Sequence, residues 1–233
     1  MIWTYPGVFA LLYMVYLFSD RSKLLQRLAS KVGDRLAHPA QEWVIYGQKF
    51  LGFMLLGPVL ILYGFTFDPG IELGLGMPRG PEVLGWSLIP VLVTLGVSIF
   101  RSPKRISWEF YPQVRSLVWT KSRTFLNILA WSLYLWGYEF AFRGFLLFPL
   151  IPLWGLGPVI LLNSALYGLA HIFKGPGESF GAFFLGILFC LIAVMTNSFY
   201  IPLVMHVIMA VGNDLKAVQA HPDMTFDFSR SKP

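Results

Sequence analysis

Cysteine occurs once in the 233-residue chain, at Cys190, which excludes an internal disulfide and a cysteine metal cluster. Inside an apolar run it reads as a small core residue. Charge is scarce as well. Only 13% of the residues are charged, against roughly 25% in an ordinary soluble domain. Hydrophobic residues make up 56%, and the mean hydropathy is +0.62. A soluble protein of this size could not hide so much apolar surface, so the expected fold is an all-α, polytopic transmembrane helical bundle. Met1 to Phe18 has neither a basic n-region nor an Ala-x-Ala-like exit, and is read as a retained first span. Internal repeats and low-complexity segments are absent.

The apolar runs give about seven spans (six to eight), at 2–18, 43–63, 83–100, 125–150, 156–173, 179–197 and 199–215. Several are shorter than the roughly 20 residues of a perpendicular helix. Between the first two, Leu24, Leu25, Leu28, Val32 and Leu36 recur at helical spacing among Arg21, Lys23, Arg27, Lys31 and Arg35. That is an amphipathic basic segment suited to the headgroup layer, or a solvated helix packed on the bundle. Residues 65–82 hold three acids, one Arg and a run of Gly and Pro, the composition of an irregular loop. Residues 101–123 bring six basic residues with Trp108, Tyr111 and Trp119. Such a mixture can stack on single-stranded nucleic acid, but beside two spans it is read as a membrane-interface anchor. The expected partner is the lipid bilayer, and no nucleic acid.

Five Lys/Arg lie in 20–42, six in 101–124, Lys174 between the fifth and sixth runs, and three from Lys216 onward. Arg79 alone falls on the other side, with Lys49 and Arg143 inside runs. The positive-inside rule then puts the N-terminus outside and the C-terminus in the cytoplasm. The expected setting is the inner membrane of a prokaryotic cell. Residues 1–124 read as N-terminal transmembrane helices with basic interfacial segments, 125–215 as the chemical core, and 216–233 as a polar, loosely ordered tail.

Three polar stripes break the apolar runs. Glu139 and Arg143 are four apart on one helical face, with Ser132 and Trp136 on the same stripe. A bare charge at that depth costs about 2.5–3.5 kcal/mol, so each is expected to pair and to face protein or water. Asn163, Tyr167 and His171 form a second stripe. His206 begins a third, with Asn213 within about 20° of it and about 10 Å along the axis. Asp214 follows, and Ala210 occupies the turn between. A carboxylate flanked by histidines in a low-dielectric cavity can take a proton from water, while nearby donors stabilise an oxyanion. Equally, Glu139, His171 and His206 could hold a divalent metal such as zinc with an open position. Against these stand a structural Glu–Arg tie and hydrogen-bonded interhelical histidines. His38 and His221 lie in polar segments and carry no role.

Residues 125–215 resemble the core of the CAAX-protease and bacteriocin-processing (Abi) family of intramembrane proteases. That family carries Glu-Glu-x-x-x-Arg, then Phe-x-x-x-His, then His-x-x-x-Asn on successive helices. Here the first reads Tyr138-Glu139-Phe-Ala-Phe-Arg143 followed by Gly144, and the second Tyr167-Gly-Leu-Ala-His171. Gly181-Ala-Phe-Phe-Leu-Gly186 and Asn197-Ser-Phe-Tyr-Ile-Pro202 are similar to the helix and turn that lead to the last histidine, here His206. The resemblance covers about two fifths of the chain. It implies an endopeptidase acting on a membrane-associated peptide or protein, with or without a metal. The family's first, water-activating glutamate is Tyr138 here, so Glu139 would take over as base. The oxyanion asparagine is Ala210, for which Asn213 or Asp214 would have to substitute. Glu178 adds a carboxylate beside the Lys174-Gly-Pro-Gly turn, or simply a helix N-terminal charge.

The resemblance therefore implies an intramembrane endopeptidase with Glu139, Arg143, His171 and His206 as its centre. The alternative is a non-catalytic membrane-binding, immunity or regulatory protein that keeps the bundle. A transporter is the weakest reading, because no matching pair of Gly/Pro-broken helices divides the chain. Glu139 would lie about 21 Å into a helix starting at Phe125, which predicts a cavity reaching deep from the cytoplasmic end.

Overall fold

The computed structural model describes residues 4–36, 39–103 and 106–229, with backbone alone at 35 and 36. His38, Lys104, Arg105 and residues 1–3 and 230–233 lie outside the described residues, as do the side chains of Arg35 and Leu36 from the amphipathic pattern. The architecture is an all-α helical bundle, consistent with an integral membrane protein. Its helices are α1 (Thr4–Leu17), α2 (Lys23–Leu36), α3 (Ala40–Met54), α4 (Leu60–Phe67), α5 (Pro81–Phe100), α6 (Lys121–Glu139), α7 (Ile151–Trp154), α8 (Leu156–Ala170), α9 (Pro176–Thr196) and α10 (Tyr200–Ala220). Among the described residues, Ala40–Phe67, Pro81–Phe100, Pro176–Thr196 and Tyr200–Ala220 are long and apolar enough to cross a membrane. Thr4–Leu17 and Leu156–Ala170 are shorter apolar helices.

Local chemistry sets the ends. Pro81 and Pro176 open α5 and α9 at the position where a missing N–H costs nothing. Thr120 caps α6 by accepting from the Arg123 amide at 3.3 Å. Asn197 closes α9 in the left-handed region, at φ 47°. Pro58, lacking a donor, sits in a π-helical turn at Leu55–Val59 that joins α3 to α4.

α6 packs on α3 through Gly137, where an added Cβ would stand 2.9 Å from the Phe53 carbonyl oxygen and 3.0 Å from its Cα. Only a residue without a side chain lets two backbones approach that closely. α5 lies at the periphery against α10 and α9. It leaves Trp86, Leu92 and Val97 exposed, which is unremarkable for a helix whose solvent is lipid. The core is aromatic: Phe140, Phe145, Tyr167 and Phe199 are all fully buried.

Three expectations are corrected. The helix expected at 125–150 starts at Lys121, passes into a π-helical turn at Phe140–Phe145, and stops before a short α7. The expected loose tail is ordered as far as it is described. α10 runs on to Ala220, and β2 (Thr225–Phe226) pairs in parallel with β1 (Val118–Trp119). Trp119 is no interface anchor. It is fully buried with Tyr46, Val114 and Met224, and its indole N–H donates to the Ser116 carbonyl at 3.0 Å. Residues 68–80 form the expected irregular loop, yet Leu73 is buried and the Phe199 amide donates to the Gly74 carbonyl at 3.2 Å.

Gly74 has φ +60°, and a Cβ there would run into the Phe148 ring. We predict that Gly74→Ala costs at least about 1–2 kcal/mol, read as a lower unfolding temperature in detergent. Gly70→Ala, with nothing within 4 Å of its Cβ, should leave that temperature nearly unchanged.

Candidate active site

The site grows from the break in α6. The Leu146 amide donates to the Ala141 carbonyl at 3.0 Å, five residues back, so the chain widens by one residue per turn. Widening strands a carbonyl, and Asn163 of α8 takes it: Nδ2 donates to Phe142 O at 2.6 Å. The Cys190 thiol donates to Asn163 Oδ1 at 3.3 Å. Cys190 is thus the buried core residue expected, and the amide of the second stripe is a brace between helices.

Within the turn Glu139 and Arg143 are both fully buried, with Oε2 and Nη1 3.0 Å apart. The contact is too oblique for a hydrogen bond, since neither atom has a hydrogen-bond partner. The guanidinium is held instead by aromatic faces, with Cζ 4.2 Å from the Tyr167 ring centroid and 5.1 Å from that of Phe189. Oε1 of Glu139 lies 2.5 Å from His206 Nδ1, and the Tyr167 hydroxyl is 3.2 Å from the same nitrogen. His171 Nδ1 is 2.9 Å from the Tyr167 carbonyl. A carbonyl only accepts, so this nitrogen carries the proton and Nε2 of His171 is left as an acceptor. The two imidazole rings are 6.5 Å apart.

Both histidines line a cavity of about 670 Å³. It is the cavity expected from the basic end of the bundle, with Arg101, Lys174, Glu178 and Asn213 also in its wall. Glu139 is not in that wall. It sits behind His206 and meets the cavity only through the imidazole. Tyr138 is also absent from the wall; it is buried with its ring 5.7 Å from that of His206.

The remaining candidates scatter. Asn213 lines the cavity near its mouth, accepting from Arg101 Nη1 at 3.1 Å. Asp214 does not join the histidines. Its Oδ2 accepts from Asn127 Nδ2 at 3.1 Å and from Trp131 Nε1 at 2.7 Å. Ser132 lies about two turns from Glu139 and does not reach it, donating to the Ile128 carbonyl at 2.8 Å and lining an apolar groove with Trp136. Glu178 lies in the first turn of α9, as a dipole-favoured charge would, but it has partners too. It accepts from the Tyr111 hydroxyl at 3.0 Å and lies 3.4 Å from Lys174 Nζ, which donates to Tyr111 at 2.7 Å.

A second polar centre was not anticipated. Lys49 is buried, with Nζ 3.2 Å from the Trp131 ring centroid and 2.5 Å from Gln113 Oε1. Glu42 and Arg123 pair beside it at 3.3 Å. Its signal was present: Asn127 and Trp131 are four apart on the face of α6 that meets Asp214, and Lys49 is a charge inside an apolar run.

A metal does not fit well. Among the described residues no three His, Cys, Asp or Glu side chains are grouped to hold one. Both Glu139 oxygens are committed to Arg143 and His206, and each imidazole has one nitrogen committed to protein, so the trio does not turn three ligand atoms to one point.

Two outcomes follow from these contacts. Removing one member of the buried pair, as in Arg143→Met, should destabilise the protein by about 3–5 kcal/mol. The double variant Glu139→Gln/Arg143→Met should recover much of that loss in thermal unfolding. At the mouth, burial opposes the charge of Lys174, but Tyr111 and Glu178 outweigh it and raise its pKa above 10.5. Burial raises that of Tyr111 above 10.0. The cluster therefore stabilises the fold through neutral pH and is lost as pH rises past these values. Lys174→Met should flatten the alkaline fall in unfolding temperature relative to wild type.

No curated protein and no solved structure matches the chain. Residues 120–212, from the cap of α6 to the middle of α10, match the family model Rce1-like, described as type II CAAX prenyl endopeptidase Rce1-like. This stretch of the chain is an Rce1-like domain, in keeping with its resemblance to the CAAX-protease and Abi family.

Proposed function

We propose that the protein is an intramembrane endopeptidase that hydrolyses a membrane-associated peptide or protein within the cavity between α8, α9 and α10. The observation that carries this is the 2.5 Å contact of Glu139 with a histidine that faces the cavity. A carboxylate accepting from Nδ1 fixes the tautomer that presents Nε2 as a base, and stabilises the imidazolium once it forms. His206 is therefore the base, and Glu139 is the positioning residue behind it. Water in the cavity gives its proton to His206 Nε2 as its oxygen attacks the scissile carbonyl. The same proton then goes to the leaving amine, so one water and one peptide bond become a carboxylic acid and an amine. His171 Nε2, the second acceptor, orients that water. Arg143, 3.0 Å from the other carboxylate oxygen of Glu139, holds it in place. No metal is required for any of these steps.

The positive-inside count supports a cytoplasmic C-terminus and an external N-terminus. Lys174 and Arg101 at the cavity mouth then face the cytoplasm, and substrate would be met from that side. The setting we propose is a prokaryotic cell membrane.

A second reading has its own support. Tyr138 stands where the family carries a glutamate, Ala210 where it carries an asparagine, and Glu139 does not line the cavity. A protein that binds a membrane partner without cutting it would need none of those groups.

The two readings part on one comparison in native membranes. Wild type and Glu139→Gln, matched for folded yield, are compared by mass spectrometry of membrane and released peptides. Loss of positioning of this kind should lower cleavage by about 10²–10⁴-fold, so the product vanishes and the uncut precursor is retained. Identical peptide profiles, with the same protein co-purifying, would make it a binding protein.

A further inference from the structure

A second hollow lies away from the histidines. α2 rests on α3, and between α2 and α6 runs an apolar groove of about 570 Å³ lined by Leu24, Leu28, Phe50, Leu126, Leu129 and Leu133, among others. Leu24 and Leu28 are 68% and 51% exposed at its rim, a costly arrangement in water and an ordinary one against acyl chains. On the helical wheel Lys31 stands about 20° from Leu24 and Arg27 about 60°. Both cations are exposed, on the part of α2 from which long stems can lie along an apolar rim and charged heads can enter a headgroup layer. α2 carries four basic residues and one acid, Asp34. Leu133 also lines the next groove along α6, with Trp136 and Val207. From Leu126 to Trp136 the helix rises about 15 Å, so an apolar track descends from a basic rim.

We propose that this groove binds one anionic phospholipid, its phosphate held by Arg27 and Lys31 and an acyl chain lying along α6. Charge complementarity selects the headgroup, since zwitterionic lipids offer the same chains without net charge. The site rests on the membrane setting of the protein and not on hydrolysis, so it stands or falls independently of the endopeptidase.

Native mass spectrometry of delipidated protein in detergent, with phosphatidylglycerol and phosphatidylcholine added in equal amounts, tests it. Wild type should retain phosphatidylglycerol preferentially. Arg27→Gln/Lys31→Gln should lower that preference by about thirtyfold. Leu129→Trp, which fills the groove from a position 41% exposed, should abolish retention without changing folded yield. Equal retention of both lipids would overturn the site. So would loss of preference in the charge variant with no effect of Leu129→Trp, which would mean surface electrostatics alone. A farnesylated peptide retained in place of phosphatidylglycerol would make the groove a substrate anchor and also overturn it.

Discussion

Everything at the centre of this bundle depends on giving one fully buried carboxylate its partners. Glu139 is fully buried and survives there because Arg143 lies 3.0 Å from one oxygen and His206 2.5 Å from the other. Moving a carboxylate into such surroundings costs several kcal/mol unless partners replace the water. Those partners must come from elsewhere in the fold. The π-helical turn places Arg143, Asn163 repairs the carbonyl that the turn strands, and Tyr167 and Phe189 give the guanidinium aromatic faces. α10 then delivers His206. α6, α8, α9 and α10 are thus tied to one another around a pair of buried charges.

The same logic recurs at the second polar centre, with a different outcome. Asp214, Asn127, Trp131 and Lys49 tie α3, α6 and α10 together, but Asp214 and Lys49 do not line the cavity. Trp131 alone reaches its wall. This cluster braces the cavity from behind, while the His171–His206 pair faces inward. The two centres divide the intramembrane charges between holding the bundle and serving the cavity.

Much of this was legible in the sequence. Charges four apart in an apolar run gave Glu139 and Arg143, and the ordered motifs gave His171 and His206. Their meeting follows because no isolated charge is tolerated at that depth. The distance of Glu139 from the helix start led to the expectation of a cavity reaching it, but the one present reaches His206 and stops short of Glu139. What could not be read is which way each polar group turns. A regular helix would keep Glu139 and Arg143 on one stripe, whereas the π-helical turn at Phe140–Phe145 changes the phase of Arg143, and no single residue in Phe-Ala-Phe-Arg-Gly-Phe announces it. Asp214 was misassigned for the opposite reason. Its position next to Asn213 is 100° around a helix, enough to send it to another neighbour. Trp119 looked like an interface anchor because aromatic residues beside cations read alike whether they face headgroups or a core.

The central claim is that Glu139 sets the tautomer of His206, and the protein has only four histidines, few enough to resolve. Nitrogen-15 NMR of histidine-labelled protein in lipid, with His206 assigned by its loss in His206→Gln, tests this most directly. The account predicts a neutral ring protonated at Nδ1, with Nε2 free, and a change of that state in Glu139→Gln. A ring protonated at Nε2, or one indifferent to Glu139→Gln, would contradict it.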